Sequence, residues 1–453
     1  MSTTIVAVAT PAGQGGLGTV RISGSDAIAI ADKVFSSLSG KALGSLAGYS
    51  ALYGKVNFEG ETVDEAVALV FREPKSYTGE NVVELSVHGG DYVVNRVLRA
   101  VLDAGALPAG PGEFTKRAYL NGKMDLSQAE AVMDIINADD EQALKAGTEA
   151  LNGAVSRKCA EIKGKLTFAA ATVAAFSDFP DEEPEFSGID KLDERLSDAY
   201  QELKLMIDSY DTGRMIRNGV NTVIIGPPNA GKSTLMNLLS GCERSIVTPI
   251  AGTTRDVVEE TVRFGDTTLR LCDTAGLRDT DDEVEKIGVE RSKIKMDTAD
   301  LILAVFDGST DFSKEDEGLL DSLIGKNAVV IFNKSDKGEP NVDYAQKRGL
   351  RFVVMSATDG LGVDALKQAV DDIINVGNLQ GKAAVYLNER QRNCALRAMQ
   401  NVGDALESLR LGFTVDAVGV LLDDAIAALM EMTGERVTVE VANEVFKNFC
   451  VGK

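Results

Sequence analysis

Gly226-Pro227-Pro228-Asn229-Ala230-Gly231-Lys232-Ser233 decides how this chain is to be read. An apolar run, Val223-Ile224-Ile225, leads into it, and Thr234 to Ser240 leads away with helical character. Strand, glycine-rich loop and helix in that order make a phosphate cradle, in which backbone N–H groups and the positive end of the helix face an anion. Lys232 adds a point charge, and Ser233 offers a hydroxyl to a magnesium ion bridging the terminal phosphates. A chance glycine–lysine turn is the competing reading, but it would not need these flanks. The stretch predicts a nucleoside triphosphate site lined by Asn229, Ala230, Gly231, Lys232, Ser233 and Thr234.

Downstream motifs narrow the nucleotide. Gly252-Thr253-Thr254-Arg255-Asp256 offers threonines with which a mobile switch completes a magnesium shell. Asp273-Thr274-Ala275-Gly276 follows the run Thr268 to Cys272, which places it at a strand end. There Asp273 reaches the metal through water and the Gly276 N–H meets the γ-phosphate, so that both elements order with that phosphate and relax without it. Asn333-Lys334-Ser335-Asp336 comes directly after the apolar run Ala328–Phe332. A carboxylate at that corner accepts from the ring N–H and the exocyclic amine of guanine, a donor pair adenine lacks. Two charge-assisted bonds at ~1.5–3 kcal/mol each disfavour ATP strongly. Ser356, Ala357 and Thr358 are expected to close over the base through backbone groups. The predicted nucleotide is GTP.

Hydrolysis is less legible. Ras-like proteins place a water-orienting glutamine after the glycine of the second switch; here that position is Leu277, which neither donates nor accepts. The acid tract Asp279 to Glu285 supplies carboxylates that read either as solvated switch residues or as groups that orient water.

With 453 residues the chain has room for about three domains of ~150 residues. Its 44% hydrophobic and 26% charged residues are those of a soluble globular protein. The first residues lack the basic region of a signal peptide and no apolar run approaches the ~20 residues of a membrane span, so a cytoplasmic protein with no membrane partner is expected. Five scattered cysteines without metal spacing agree with a reducing compartment. A formal charge of −22 argues against holding nucleic acid by bulk electrostatics, though not against a local patch or a partner that carries RNA. One histidine, His88, excludes a multi-histidine metal site, and it reads more readily as structural than as a general base.

The first 120 residues mix β-rich runs (Ile5–Ala9, Gly18–Ser23, Ala66–Phe71, Val82–Val87) with helical spacing at Asp26–Leu38 and Asp91–Ala104, an α+β domain. Gly13 to Gly18 fits G-x-G-x-x-G, but a strand follows it and Ser37–Lys41 holds no acid, so a dinucleotide fold is rejected. From Met124 to Asn218 the texture is long helices, interrupted by the proline-broken acid tract Asp178 to Glu185, read as a solvated loop or as an ion or partner contact. Asn375 to Lys382 reads as a linker, and Asn388–Leu411 and Val415–Met432 as further helices. Matching helical texture on both sides predicts an α/β P-loop GTPase domain of Ras-like type inserted into an all-α helical domain. The expected limits are 1–120, 121–216, 217–377 for the insertion, and 378–453.

Beyond the nucleotide motifs, five stretches make the chain resemble the tRNA-modifying GTPases of the MnmE (TrmE) family over essentially its whole length. They are Ile5 to Pro11, Pro111-Gly112-Glu113-Phe114-Thr115-Lys116-Arg117-Ala118, Lys123 to Ala131, Asp178 to Glu183, and Phe449-Cys450-Val451-Gly452-Lys453. The resemblance implies a homodimer paired through folate-binding N-terminal domains. It also implies work with the FAD-dependent partner MnmG, in a heterotetrameric or larger complex, on the wobble uridine U34 of certain tRNAs. An aminomethyl or carboxymethylaminomethyl group is added at C5, with its one-carbon unit taken from 5,10-methylene-tetrahydrofolate, for which 5-formyl-tetrahydrofolate is a bound analogue.

By this likeness Arg21, Glu84, Lys123 and Lys453 bind the folate; cations suit its glutamate tail and a carboxylate its pterin edge. Read without it, each is a surface charge. The likeness extends nucleotide contacts through Thr248, Pro249, Ile250 and Ala251, and makes potassium an activating ion bound by Asn229, Thr248, Ile250 and Thr253. Such a cation does part of an arginine finger's electrostatic work. Glu285 matches the residue that orients water, and Thr254 joins Ser233 at magnesium. Pro227 and Val451 depart from the family's common arginine and isoleucine. Cys450 reads as a nucleophile or thiol sensor, or as a packed or merely proximal cysteine. The alternative to the whole reading is a ribosome-assembly GTPase acting only as a switch, which predicts a basic RNA-binding appendage.

Overall fold

A computed structural model describes residues 3–178, 188–241, 260–265, 267–271, 296–374, 385–411, 415–447 and 449–452. The chain divides into two compact units, one built from 1–133, 159–163 and 423–453, the other from 134–158 and 164–422.

The first unit is built on Ile5–Val8 (β1), Gly18–Ser23 (β2), Ala27–Val34 (α1), Phe35–Ser37 (β3), Ser50–Phe58 (β4), Glu61–Phe71 (β5), Val82–Val87 (β6), Asp91–Asp103 (α2), Leu107–Pro108 (β7) and Glu113–Leu120 (α3). The strands form one sheet in the order β3-β4-β5-β6-β2-β1-β7. Val20, Ile22, Val83 and Leu85 pack with Ile30 and Val34 of α1 and Val97 and Val101 of α2. Side chains alternate across a strand, so Arg21 and Glu84 stand on the face away from those helices. The register sets them directly opposite one another.

The helix expected over Asp26–Leu38 stops at Val34, because Phe35 is extended and Phe35-Ser36-Ser37 pairs with β4. Serines compete with helical hydrogen bonds. The close pairing also needs Gly54, whose added Cβ would lie 2.3 Å from the Ser36 carbonyl oxygen. The strand after Gly18, on which the dinucleotide reading was rejected, is present as β2.

Five helices follow: Leu126–Ile136 (α4), Glu141–Leu151 (α5), Ala154–Asp178 (α6), Gly188–Asp208 (α7) and Tyr210–Asn218 (α8). Then come Val220–Ile225 (β8), Lys232–Gly241 (α9), Glu260–Phe264 (β9), Thr267–Leu271 (β10), Leu301–Asp307 (β11), Lys314–Ser322 (α10), Ala328–Asn333 (β12), Asp343–Gln346 (α11), Arg351–Val354 (β13) and Val363–Ile374 (α12). The described chain ends with Glu389–Leu411 (α13), Val415–Thr433 (α14) and Val439–Lys447 (α15). In the first unit Phe446 and Phe449 bury against Leu126 and Ala129.

The second sheet runs β13-β12-β11-β8-β10-β9, parallel except at its β9–β10 hairpin. All six residues of β12, and all of β11 but Asp307, are buried. Continuous burial is what a parallel strand covered on both faces requires. One face packs on Leu235 and Leu239 of α9 and Leu366 and Val370 of α12, the other on Leu320 and Ala345. Such sheets bind ligands at the carboxyl ends of their strands, where the order reverses. Here that is the end of β8, flanked by β10 and β11 and followed by the phosphate loop.

In the same unit α7 and α13 lie side by side, tied by Arg410 to Asp193 at 2.7 Å. Asp140 caps α5 by accepting from the Ala143 N–H at 2.8 Å, and its other oxygen accepts from the Thr268 hydroxyl of β10 at 2.9 Å. Among the described residues no helix is long and apolar enough to cross a membrane. The expected acid loop from Phe179 onward and the whole linker, Asn375 to Lys382, lie outside the described residues.

Candidate functional site

The phosphate loop takes its shape from residues that tolerate unusual backbone. Gly226 has φ 143°, and a Cβ there would meet the Val305 carbonyl oxygen at 2.0 Å. Gly231 has φ 97°, and its Cβ would strike Asn333 Nδ2 at 2.1 Å. Both approaches need glycine. Asn229 sits at φ 60°, a left-handed conformation that asparagine adopts more readily than most residues. Lys232 Nζ donates to the carbonyls of Gly226 at 2.9 Å and Pro227 at 2.8 Å. Burial lowers its pKa, and a triphosphate's negative charge at this point would favour the protonated form again. Ser233 and Thr234 lie at the exposed start of α9.

The base-recognition corner is joined to this loop. Asn333, buried at the end of β12, donates from Nδ2 to the Ala230 carbonyl at 2.9 Å and accepts from the Ala357 N–H at 2.9 Å. It thus staples the phosphate loop to the Ser356–Thr358 turn. Lys334, at φ 63°, donates to the Asn229 carbonyl at 2.6 Å and to Asp307 Oδ2 at 2.7 Å. Ser335 N–H bonds the Met355 carbonyl at 3.2 Å. Asp336 Oδ1 lies 3.0 Å from the Ser356 hydroxyl, which also lies 2.9 Å from Asp359 Oδ2, so one proton faces two carboxylates. Asn229 through Thr234, Asn333 through Asp336, and Ser356 through Thr358 are therefore gathered by the ends of β8, β12 and β13. Asp307 and Asp359 were not foreseen. Asp307 lies at the end of an apolar strand outside any motif, and Asp359 follows the Ser356–Thr358 turn as an ordinary loop acid.

The glycine geometry, the amides of the loop and Lys232 fit a nucleotide's phosphates, and Asp336 fits guanine's donor pair. Ser233 carries a hydroxyl that could hold magnesium, and Asn229 an amide oxygen that could hold a monovalent cation. Thr248, Pro249, Ile250, Ala251, Gly252, Thr253, Thr254, Asp273, Thr274, Ala275, Gly276, Leu277 and Glu285 lie outside the described residues.

In the first unit Arg21 Nε donates to Glu84 Oε1 at 2.7 Å, and Arg21 Nη1 to the Gly452 carbonyl at 3.2 Å. The guanidinium also lies against the rings of Tyr77 and Phe114, 5.8 and 5.7 Å from their centroids. The tail is seated by the Gly112 N–H on the Cys450 carbonyl at 3.3 Å and by a bridge between Pro111 and Val451. At Gly452, φ 102°, a Cβ would come within 2.2 Å of the Val8 carbonyl oxygen. Lys123 Nζ donates to the Pro74 carbonyl at 3.1 Å, on the loop that also carries Tyr77. Lys453 lies outside the described residues. A cation, a carboxylate and the partly exposed ring of Tyr77 at one place suit a ligand with an aromatic ring system and hydrogen-bonding edges. The Cys450 side chain is exposed, so it is not a packed cysteine. His88 is exposed too, with Nδ1 2.8 Å from Asp64 Oδ1, an arrangement that anchors the end of β6.

A family profile described as the N-terminus of the GTP-binding protein TrmE matches residues 4–123, and one described as the MnmE helical domain matches 126–450. The tRNA modification GTPase MnmE of Lachnoclostridium phytofermentans is 40% identical over 456 residues, covering 99% of each chain. That of Carboxydothermus hydrogenoformans is 40% identical over 466 residues, covering 100% of each. Among solved structures, Era of Aquifex aeolicus bound to GDP and aluminium fluoride is 28% identical over 40% of this chain and 66% of its own, at a TM-score of 0.28.

Proposed function

Because the chain belongs to the MnmE (TrmE) family of tRNA modification GTPases, it is a GTP hydrolase, and we propose that its GTP cycle drives C5 modification of the wobble uridine of certain tRNAs together with the FAD-dependent partner MnmG. The observation that carries this reading is the full-length match to such enzymes around a described corner where Asn333 joins Ala230 of the phosphate loop to Ala357. A switch acting only in ribosome assembly leaves the matched N-terminal domain without a task.

In the cycle, Lys232 exchanges its bonds to Gly226 and Pro227 for the phosphates. Asp336 holds guanine, and the Ala357 amide, positioned by Asn333, borders the base. Ser233 with Thr254 would hold magnesium; Asn229, Thr248, Ile250 and Thr253 would hold potassium, which offsets charge developing on the phosphates. Glu285 would orient the attacking water, a task Leu277 cannot perform. In the N-terminal domain Arg21, Glu84, Lys123 and Lys453 would hold a methylene-tetrahydrofolate, with Tyr77 as an apolar wall and the fully buried Phe114 backing Arg21. Such a group supplies the one-carbon unit when bound.

Pairing of two copies through N-terminal domains is supported by the outer face of β4 and β5, where Tyr53 and Val67 stand opposite one another at 50% and 43% exposure. A cytoplasmic setting follows from the tRNA substrate. Reconstitution tests the proposal: chain, partner, GTP, potassium, methylene-tetrahydrofolate, ammonium or glycine as the amine, and a tRNA transcript, each omitted in turn. Modified uridine formed without this chain would refute it. Equal GTP turnover in potassium and sodium at matched ionic strength would remove the potassium step alone.

A further inference from the structure

Asp307 ends β11 and pairs in register with Asn333, the last residue of β12. The Gly308 N–H bonds the Asn333 carbonyl at 2.7 Å, which brings the Asp307 carboxylate beside the base-recognition corner. Both of its oxygens are used. Oδ1 accepts from the Ser309 N–H at 3.0 Å and the Ser309 hydroxyl at 2.6 Å. Oδ2 accepts from Lys334 Nζ at 2.7 Å, and the same ammonium donates to the Asn229 carbonyl at 2.6 Å. Lys334 therefore bridges a fixed carboxylate and the backbone of the residue at φ 60° in the phosphate loop. Neither side chain of the ion pair is more than a quarter exposed, so solvent screens it only in part. Burial tends to raise the Asp307 pKa, but its bonds from Lys334 and Ser309 hold it below the ordinary carboxylate value, as expected of a carboxylate kept charged.

We infer that Asp307 is a positioning residue for nucleotide binding: through Lys334 it locks the base-recognition corner to Asn229 and holds the phosphate loop in its binding conformation. Motion of Lys334 would release the Asn229 carbonyl and let the left-handed turn relax, which weakens the cradle and turns the Asn229 amide away. The effect on potassium rests on the ion reading of Asn229 given above; the effect on the nucleotide does not.

The test compares Asp307→Asn, which keeps an acceptor for Ser309 but loses the charge facing Lys334, with Lys334→Ala and the double variant in the full-length chain. Asp307→Asn should release mant-GDP about tenfold faster and raise KM for GTP by a similar factor, while kcat at saturating GTP and potassium stays within about twofold. The double variant should release GDP no faster than Lys334→Ala, since both changes cut one connection. Release at the wild-type rate from Asp307→Asn, or factors that multiply in the double variant, would overturn the inference. Should Asp307→Asn fail to fold by thermal melting, Asp307→Glu keeps the charge and should release GDP within about threefold of wild type. Release from it as fast as from Lys334→Ala would also count against the inference. The potassium concentration for half-maximal turnover should rise severalfold in Asp307→Asn, and an unchanged value would contradict the reach to Asn229. If the wild type turns over equally in potassium and sodium, the ion reading fails and the release rates alone decide.

Discussion

Asp336 is where base choice becomes a statement about single atoms. Its carboxylate accepts from the Ser356 hydroxyl at 3.0 Å, which fixes its orientation in the corner proposed to recognise the base. Replacing it with asparagine turns one acceptor into a donor, which clashes with guanine's exocyclic amine but matches the carbonyl that xanthine carries at the same place. Asp336→Asn should weaken GTP binding at least a hundredfold and let xanthosine triphosphate compete, as two charge-assisted bonds at ~1.5–3 kcal/mol each require. Competition with mant-GDP reads both affinities, and retained GTP preference would contradict the assignment. A second residue-scale consequence concerns pH. Asp64, through its hydrogen bond and its charge, raises the His88 pKa above the usual ~6.5. The Asp64 carboxylate would be raised by burial, but its bonds from His88 bring it below the ordinary value. The pair is thus fully formed below the unfolded histidine's pKa and is lost as pH rises through the raised one. On the acid side it persists until pH falls through the lowered Asp64 value. As the chain has one histidine, a single imidazole resonance reports it. It should titrate above ~6.5 in the wild type and return there in Asp64→Asn; a wild-type midpoint already at ~6.5 would dismiss the pair. Asp336 was legible because it belongs to a spaced motif after an apolar run. Asp307 was not, because its meaning lies in strand register with β12.

At the scale of elements, amphipathic spacing and continuous apolar runs were readable. Val82–Val87, Asp91–Asp103, Ala328–Asn333 and Glu389–Leu411 lie within a residue of their expected limits, because each buries one stripe or both faces. β3 and β4 escaped notice, since Phe35–Ser37 continues a helical pattern and Ser50–Phe58 carries Gly54 and polar residues on an exposed face. Their pairing is a tertiary fact. So is the joint between α5 and β10, where Asp140 and Thr268 are 128 residues apart and both buried. Thr268→Val keeps the shape but leaves one Asp140 oxygen unpaired, at about 1–3 kcal/mol. Hydrogen exchange at the first turn of α5, including the Ala143 amide, should speed up by roughly five- to a hundredfold if local opening governs it. Unchanged protection would show that the bond adds nothing to the joint. In sequence β10 is followed closely by Asp273, so this joint ties a helix of the second unit to the strand that comes before the proposed second switch.

On the scale of the whole molecule, the insertion of a nucleotide module into helices was foreshadowed by helical texture on both sides of Gly226–Ser233. Within the second unit, α8 before the module and residues 385–388 after it are fastened together. The Ser209 hydroxyl donates to the Val385 carbonyl at 3.0 Å, and Arg217 donates to the Tyr386 carbonyl at 3.2 Å. Gly213 allows this, since a Cβ there would meet Tyr386 Cβ at 2.7 Å. Leaving and returning segments held side by side would let the module, should it order on GTP and relax after hydrolysis as proposed, pull on one place in the helices. Under the proposed function, the charge of −22 favours a large share for the partner in holding the tRNA, and leaves this chain the GTP cycle and the N-terminal pocket as its proposed tasks. The central claim is that this cycle serves wobble-uridine modification. Mass spectrometry of wobble nucleosides from cells lacking the chain, complemented with the wild type or Asp336→Asn, tests it most directly. The account predicts that C5-aminomethyl and carboxymethylaminomethyl uridines disappear and return only with the wild type; their presence at normal levels in the deleted cells would contradict it.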